Sequence, residues 1–300
     1  MINTVLGNVN ESEIKSVLCH EHICCYSEYL RVMSRNTRFS EDELKRVAVS
    51  QLKHLKETYE MNLFVDCTPV NIGRNVDLLK AISMESGVHI VCSTGMYYTH
   101  NPIISLMKPE DIAKHYVNDA KNINAGIIKA AVEEEEISEF NKKLLIASAL
   151  AQKELELPIV LHTNAKNRNA LKALKILLDN GVEPGTVTVG HLSDTDDVEY
   201  VSDVARFGCY IALDRLHNNI SEDYISKKLT MIKTLCDVGC SDKILLSHDD
   251  MFFTGFCSEH KVQKVPAFEY VYRHILPRLD KKTADKIMRE NPVSMLKCAQ

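Results

Sequence analysis

Three hundred residues, 45% of them hydrophobic, suffice for two average domains or for one (β/α)8 barrel, which needs about 250. The charge of −5 comes from interspersed acidic and basic residues, which excludes the basic footprint of a nucleic-acid or anionic-membrane binder. No apolar run approaches the ~20 residues of a membrane span, Met1–Asn10 does not read as a leader, and the ten cysteines form no CxxC pair, so a cytoplasmic protein with free, buried thiols is expected.

The first strand read along the chain is Ser16-Val-Leu-Cys-His-Glu-His22, where a period of two puts His20 and His22 on one face and Glu21 on the other. Two imidazoles so placed can grip one ion, although an HxH triplet among 12 histidines is a weak signal by itself. The adjacent thiols of Cys24 and Cys25 point apart in extended chain and are not read as ligands. Ser27 to Arg38 reads as a loop over the mouth of the fold. Ser40-Glu-Asp-Glu43 is a capping box that opens a helix to about Tyr59, with Leu44, Val47, Leu52 and Leu55 toward the core. A second strand, Asn62–Thr68, leads to a helix from Asn75 to Ser86 that stops at Gly87. The third strand, Val88–Gly95, releases into Met96-Tyr-Tyr-Thr-His-Asn-Pro102, and its His89, at the strand start, reads as structural. Pro109 suits the first turn of a helix reaching about Lys121.

Gly126–Glu133 is a short apolar run with Lys129 near its middle and reads as a buried parallel strand. A lysine there is costly unless paired or chemically used. Three explanations are open: a Schiff-base nucleophile, a buried salt bridge, or a lysine converted by carbon dioxide into a metal-ligating carbamate. Glu133 to Glu136 reads as a solvated acidic turn into a helix from Ile137 to Glu156. Strands Leu157–His162 and Thr186–His191 both end on histidine, with a helix from Arg168 to Asp179 between them. A helix from Thr195 to Phe207, strand Cys209–Asp214, a helix from Ser221 to Val238 and strand Lys243–Asp249 follow, and helices Ala267–Leu279 and Thr283–Arg289 close the chain.

Eight strands alternating with helices and no linker between them point to one (β/α)8 TIM barrel over residues 1–300. His20, His22, Lys129, His162, His191 and Asp249 all fall toward the C-terminal ends of strands, so closure of the barrel would aim them at one mouth. Each alone has a plainer reading as a core histidine or a helix cap. Four imidazoles and a carboxylate suit Zn2+ or a similar divalent ion, and a bridging anion would hold two ions about 3.5–4 Å apart. An ammonium cannot bridge, whereas N6-carboxylysine at Lys129 can. A class I aldolase using Lys129, or a non-catalytic metal-binding protein, are the competing readings.

The stretches Leu18-Cys-His-Glu-His22, Gly126-Ile-Ile-Lys129, Leu161-His162-Thr163, Gly190-His-Leu-Ser-Asp-Thr-Asp-Asp197, Leu213-Asp-Arg215, Leu246-Ser-His-Asp249 and Glu290-Asn-Pro292 resemble the phosphotriesterase family of the amidohydrolase superfamily, in order and across nearly the whole chain. The resemblance implies that His20, His22 and Asp249 bind a buried divalent ion and His162 and His191 a more exposed one. Zn2+ is the first choice and Mn2+, Co2+ or Fe2+ the alternates. Lys129 would be the carboxylated bridge, and Asp249 would take the proton from a metal-bridging hydroxide as it attacks. Arg215 resembles lactonase-like members rather than fast phosphotriesterases, and so does a tyrosine after the Thr-Gly of strand three, assigned to Tyr97 with Tyr98 as alternative. A structural ion pair with Asp214 or Asp194 is the plainer reading of Arg215. His217 and Asn218 share its loop. Asp249 is followed by Asp250-Met-Phe-Phe-Thr-Gly-Phe, with Phe252 where an arginine stands in members acting on phosphorylated sugar lactones, while Lys261 and Lys264 leave an anionic substrate open. A small-molecule lactone is therefore the expected substrate, with other esters and phosphotriesters as alternatives, and relatives suggest a homodimer.

Overall fold

Alternation of side chains along each strand decides which residues fill the middle of the sheet and which meet the helices. The computed structural model describes residues 1–27, 29, 40–216, 219–255 and 266–297. A short antiparallel hairpin, β1 (Ile2–Thr4) with β2 (Gly7–Val9), precedes the main sheet. In that sheet β3 (Ser16–Tyr26), β4 (Met61–Asp66), β5 (His89–Gly95), β6 (Ile127–Ala131), β7 (Ile159–His162), β8 (Val187–Val189), β9 (Tyr210–Leu213) and β10 (Ile244–Leu246) each pair in parallel with their chain neighbour.

The ring closes through a divided eighth strand. β10 lies on β9, whereas β11 (Met251–Gly255) lies on β3 with Met251 opposite His22. Between the halves, the Asp249 N–H donates to the His20 carbonyl at 3.1 Å and the His22 N–H to the Asp250 carbonyl at 3.0 Å. The fold is thus the expected (β/α)8 barrel, but its last strand runs on past Asp249 to Gly255.

Helices α1 (Glu41–Tyr59), α2 (Val76–Ser86), α3 (Pro102–Ser105), α4 (Pro109–Ile123), α5 (Glu139–Leu155), α6 (Ala170–Asp179), α7 (Val198–Ala205) and α8 (Glu222–Asp237) occupy the connections. Ser40 accepts from the Glu43 N–H, the serine half of the expected capping box, and Gly87 ends α2 in the left-handed conformation. The last two helices depart from a plain α reading. Val271–Ile275 is π-helical and Leu276–Arg278 is 3-10, since Pro277 has no N–H to continue an α-helix. α9 (Lys281–Asp285) then passes through a π turn, Lys286–Glu290, into α10 (Asn291–Lys297).

Inside the ring Val17, Cys19, Leu63, Val65, Ile127, Val160 and Leu245 share one apolar cluster, closed at its base by Ile2, Val9, Met295 and Leu296. Outward residues such as Leu18, Phe64, Ile128 and Leu161 belong to a second cluster under the helices. Alternation carried upward puts Lys129 above Ile127 and His162 above Val160. β3 needs a correction of phase. Leu18 pairs with Phe64 but Glu21 with Asp66, so β3 takes three steps where β4 takes two. This bulge lets Val17 and Cys19 face inward below it and His20 and His22 face inward above it, and it turns Glu21 to the outside. Unbroken alternation from Val17 would have pointed both histidines at the helices.

Cys19, Cys67, Cys92 and Cys209 are buried thiols and Cys236 is half-buried; among the described residues no disulfide forms. No described helix is long and apolar enough to cross a membrane.

Candidate metal centre

Closure of the barrel brings the strand-end residues into one cluster. His20 Nε2 lies 2.7 Å from Lys129 Nζ and 3.6 Å from Asp249 Oδ1. His22 Nε2 lies 3.0 Å from the same Asp249 oxygen, and His191 Nε2 is 2.7 Å from His162 Nδ1. The His20 and His191 rings, 5.0 Å apart, join the two halves.

Each imidazole therefore turns one nitrogen into the cluster, and its other nitrogen is held from outside. His22 Nδ1 meets Thr68 Oγ1 at 2.8 Å, His191 Nδ1 meets Asp214 Oδ1 at 3.0 Å, and His162 Nε2 meets Glu133 Oε2 at 2.9 Å. His20 Nδ1 contacts the second oxygen of Asp214. An outer nitrogen that donates leaves the inner lone pair available, which is what a metal-ligating histidine requires. His20, His22 and Asp249 can each offer an atom to one ion. His20, His191 and Asp214 are equally close, but there the carboxylate holds the two Nδ1 atoms, so Asp214 orients the rings rather than completing an ion site.

The electrostatics match this division. Burial, and then the charge of Lys129, lower the His20 pKa to about 4 against the pull of Asp214 and Asp249. Burial, with His191 and the unmodified Lys129 adding to it, pushes His162 well below its usual range, so burial as the leading cause keeps both rings neutral at neutral pH, as ligands must be. Burial raises the Asp249 carboxyl, but His191, His22 and His20 overcome it and hold the group ionised. Lys129 is 1% exposed, and among the described residues no carboxylate lies within ion-pair distance of its Nζ. Among the described residues the buried salt bridge thus finds no partner. As an ammonium Nζ is a donor only. The donor set of four inward nitrogens and a carboxylate fits a pair of divalent ions once that nitrogen carries an anionic carboxyl group.

Asp249 and His191 adopt left-handed backbone, φ 52° and 64°, which is uncommon for residues with a side chain. Glu21 braces the Asp249 turn from outside the ring. Its Oε1 accepts from Ser247 Oγ (2.7 Å) and from the His248 N–H (2.9 Å) and Nδ1 (2.7 Å), and its Oε2 accepts from the Asp250 N–H (3.1 Å). The Val271 N–H donates to His248 Nε2 at 3.2 Å, which places the imidazole proton on Nδ1, facing Glu21. At His191, the preceding Gly190 allows a close approach: a Cβ there would stand 3.1 Å from Asp214 Oδ2 and from the Leu161 carbonyl oxygen.

Arg215 donates from Nε to Asp249 Oδ2 at 2.8 Å and from Nη1 to Asp194 Oδ2 at 2.6 Å. One expected partner is thus present, and the second is Asp249 rather than Asp214. Burial opposes its charge, but Asp249 and Asp194 raise its pKa, so it is a fixed cation. The Tyr97 and Tyr98 rings lie 5.1 and 5.8 Å from the His162 ring, and Asn71 brackets the Tyr97 backbone with bonds of 2.8 Å to its N–H and 3.1 Å to its carbonyl. His89 starts β5, at the far end from the cluster.

The sequence alone does not mark Thr68, Glu21 or Asp214 as part of the centre, and Glu133, expected in a solvated turn, reaches His162 instead. The available signal is that Asp214 ends the strand Cys209–Asp214 read from the sequence, as His191 ends Thr186–His191. Expectations placed on residues 28 and 30–38, His217, Asn218, Lys261 and Lys264 lie outside the described residues.

The sequence matches the phosphotriesterase family over residues 1–296. An aryldialkylphosphatase of Saccharolobus solfataricus is 32% identical, covering 81% of this chain and 79% of its own. A phosphotriesterase homology protein of Mycobacterium tuberculosis is 27% identical over 93% and 90%, and a human N-acetyltaurine hydrolase is 26% identical over 98% and 97%. With a match from the first hairpin to α10, this barrel belongs to the phosphotriesterase family.

Proposed function

We propose that this chain is a binuclear metal-dependent hydrolase that opens a lactone ring, with phosphotriester or carboxylic-ester cleavage as the alternative. The observation that carries the reading is the convergence of four inward imidazole nitrogens with Lys129 and Asp249, every outer nitrogen being held. His20, His22 and Asp249 would hold one ion and His162 and His191 the other, with Lys129 carboxylated on Nζ between them. Zn2+ is the first choice, and Mn2+, Co2+ or Fe2+ the alternates. Such ions supply Lewis acidity toward a substrate oxygen and lower the pKa of a coordinated water.

The chain's own groups account for the rest. Asp249, ionised and beside His22 and His20, is placed to take the proton of the attacking water. Arg215 aims that carboxylate through Oδ2 and, as a fixed cation, does not carry the proton further. Tyr97 stands edge-on to the His162 ring and walls that side of the site.

A second reading, hydrolysis of an N-acyl amide, is favoured by relatives named N-acetyltaurine hydrolase that span nearly all of the chain. One panel separates the readings: lactones with and without a phosphate group, aryl esters, phosphotriesters and N-acyl amides, each with metal-loaded protein. Lactone turnover highest in kcat/KM is expected; preference for another class would move the assignment to that class.

A further inference from the structure

The three outer partners of the four histidines are not equivalent. Asp214 and Thr68 are buried, whereas the Glu133 side chain is 36% exposed at the rim of the mouth. The ring it holds is also different. His20, His22 and His191 present Nε2 to the cluster, but His162 presents Nδ1.

That choice of nitrogen needs a cause. A half-turn of an imidazole about χ2 exchanges Nδ1 with a ring carbon, so an untethered His162 would offer the cluster a nitrogen in only one of two orientations. Glu133 Oε2, 2.9 Å from Nε2, selects the useful one, because only that orientation lets Nε2–H donate to the carboxylate. The glutamate is itself built in. Asn164 Nδ2 donates to Oε1 at 2.8 Å, Asn167 Nδ2 to the Glu133 carbonyl at 2.9 Å, and Asn169 Nδ2 to the Glu134 carbonyl at 3.1 Å. Asn169 Oδ1 in turn accepts from the Asn164 N–H at 2.9 Å. Three asparagines from the segment after β7 thus clamp the segment after β6, and the one carboxylate oxygen they leave is the one that meets His162. A surface turn would not need this clamp.

We propose that Glu133 is the positioning residue of the outer half of the centre: it fixes His162 with Nδ1 inward and thereby sets the affinity of the ion held by His162 and His191. This rests on the metal-hydrolase reading above. Asp214, which touches rings of both halves, would affect both ions; Glu133 touches a ring of one half only.

The test is competition titration of Zn2+ into the full-length, chelator-stripped protein against a chromophoric chelator, for wild type, Glu133→Ala, Glu133→Gln, His162→Asn and the double variant Glu133→Ala/His162→Asn. Wild type is expected to bind two ions. Glu133→Ala should weaken one by about 10–100-fold and leave the other unchanged. Glu133→Gln should lose less, because its amide oxygen still accepts the bond. In the His162→Asn background, removal of Glu133 should cost nothing further. Unchanged affinities in Glu133→Ala, equal weakening of both ions, or a full additional loss without the His162 ring would each overturn the proposal while leaving a metal hydrolase standing. A wild-type protein that binds no ion would overturn the metal-hydrolase reading and this inference together.

Discussion

Lys129 sits 2.7 Å from the nitrogen of a neutral imidazole, buried beneath the mouth, and among the described residues no carboxylate comes within ion-pair distance of it there. The proposed carboxylation would remove the cation and supply an anion where the histidines converge. Lys129→Ala is therefore expected to lower both bound metal and kcat/KM by more than about 100-fold, with partial recovery in millimolar acetate or propionate; elemental analysis and the same assay check both. Asp214 acts one step further out. It holds a nitrogen of His20 and one of His191, so Asp214→Asn should weaken both ions by about 10–100-fold, read by the same chelator competition. These two residues show where sequence stops being legible. Lys129 and the histidines stand out because a polar group in an apolar strand is conspicuous by itself. Asp214 and Glu21 acquire meaning only through partners 23 and 227 positions away, a separation that no local pattern encodes.

At the level of elements, strand and helix order was readable because apolar runs of strand length alternate with capped amphipathic segments. The bulge in β3 was not, since it consists of a pairing mismatch with β4 and leaves no mark in composition. Nor was the division of the eighth strand, whose second half pairs with the first strand of the chain. β5 illustrates how closely the strands fit around the lysine. Gly95 has φ +91°, and a Cβ there would lie 2.1 Å from the Lys129 carbonyl oxygen. Gly95→Ala should destabilise the protein by more than about 2 kcal/mol in urea unfolding. Gly208→Ala has a similar φ of +85° but nothing within 4 Å, and should cost only about 1–2 kcal/mol of backbone strain. Equal effects would mean that the contact with Lys129 is relieved by movement of β5.

For the whole molecule, burial of neutral histidines makes stability depend on pH. Burial lowers the His248 pKa to about 3, against the charge of Asp250, and His20 is lowered to about 4. Below the unfolded pKa of about 6.5 the unfolded chain takes up protons that the folded chain refuses. This contribution to stability is complete above that pH and is lost as pH falls from there toward 4. His248 alone accounts for about 2 kcal/mol at pH 5. The Glu21 carboxyl beside it, raised by burial, works in the opposite direction, so the test is a comparison: urea midpoints of metal-free His248→Asn should fall less steeply from pH 7 to pH 5 than those of wild type, and equal slopes would mean the ring is not buried neutral. Catalysis at this mouth is proposed to need the two divalent ions that its histidines would hold. The most direct test is turnover of the best panel substrate after complete chelation and again as Zn2+, Mn2+ or Co2+ is added back in known equivalents. Loss of turnover on stripping and its return as two equivalents bind is the expected result. Turnover that survives full removal of metal would contradict it.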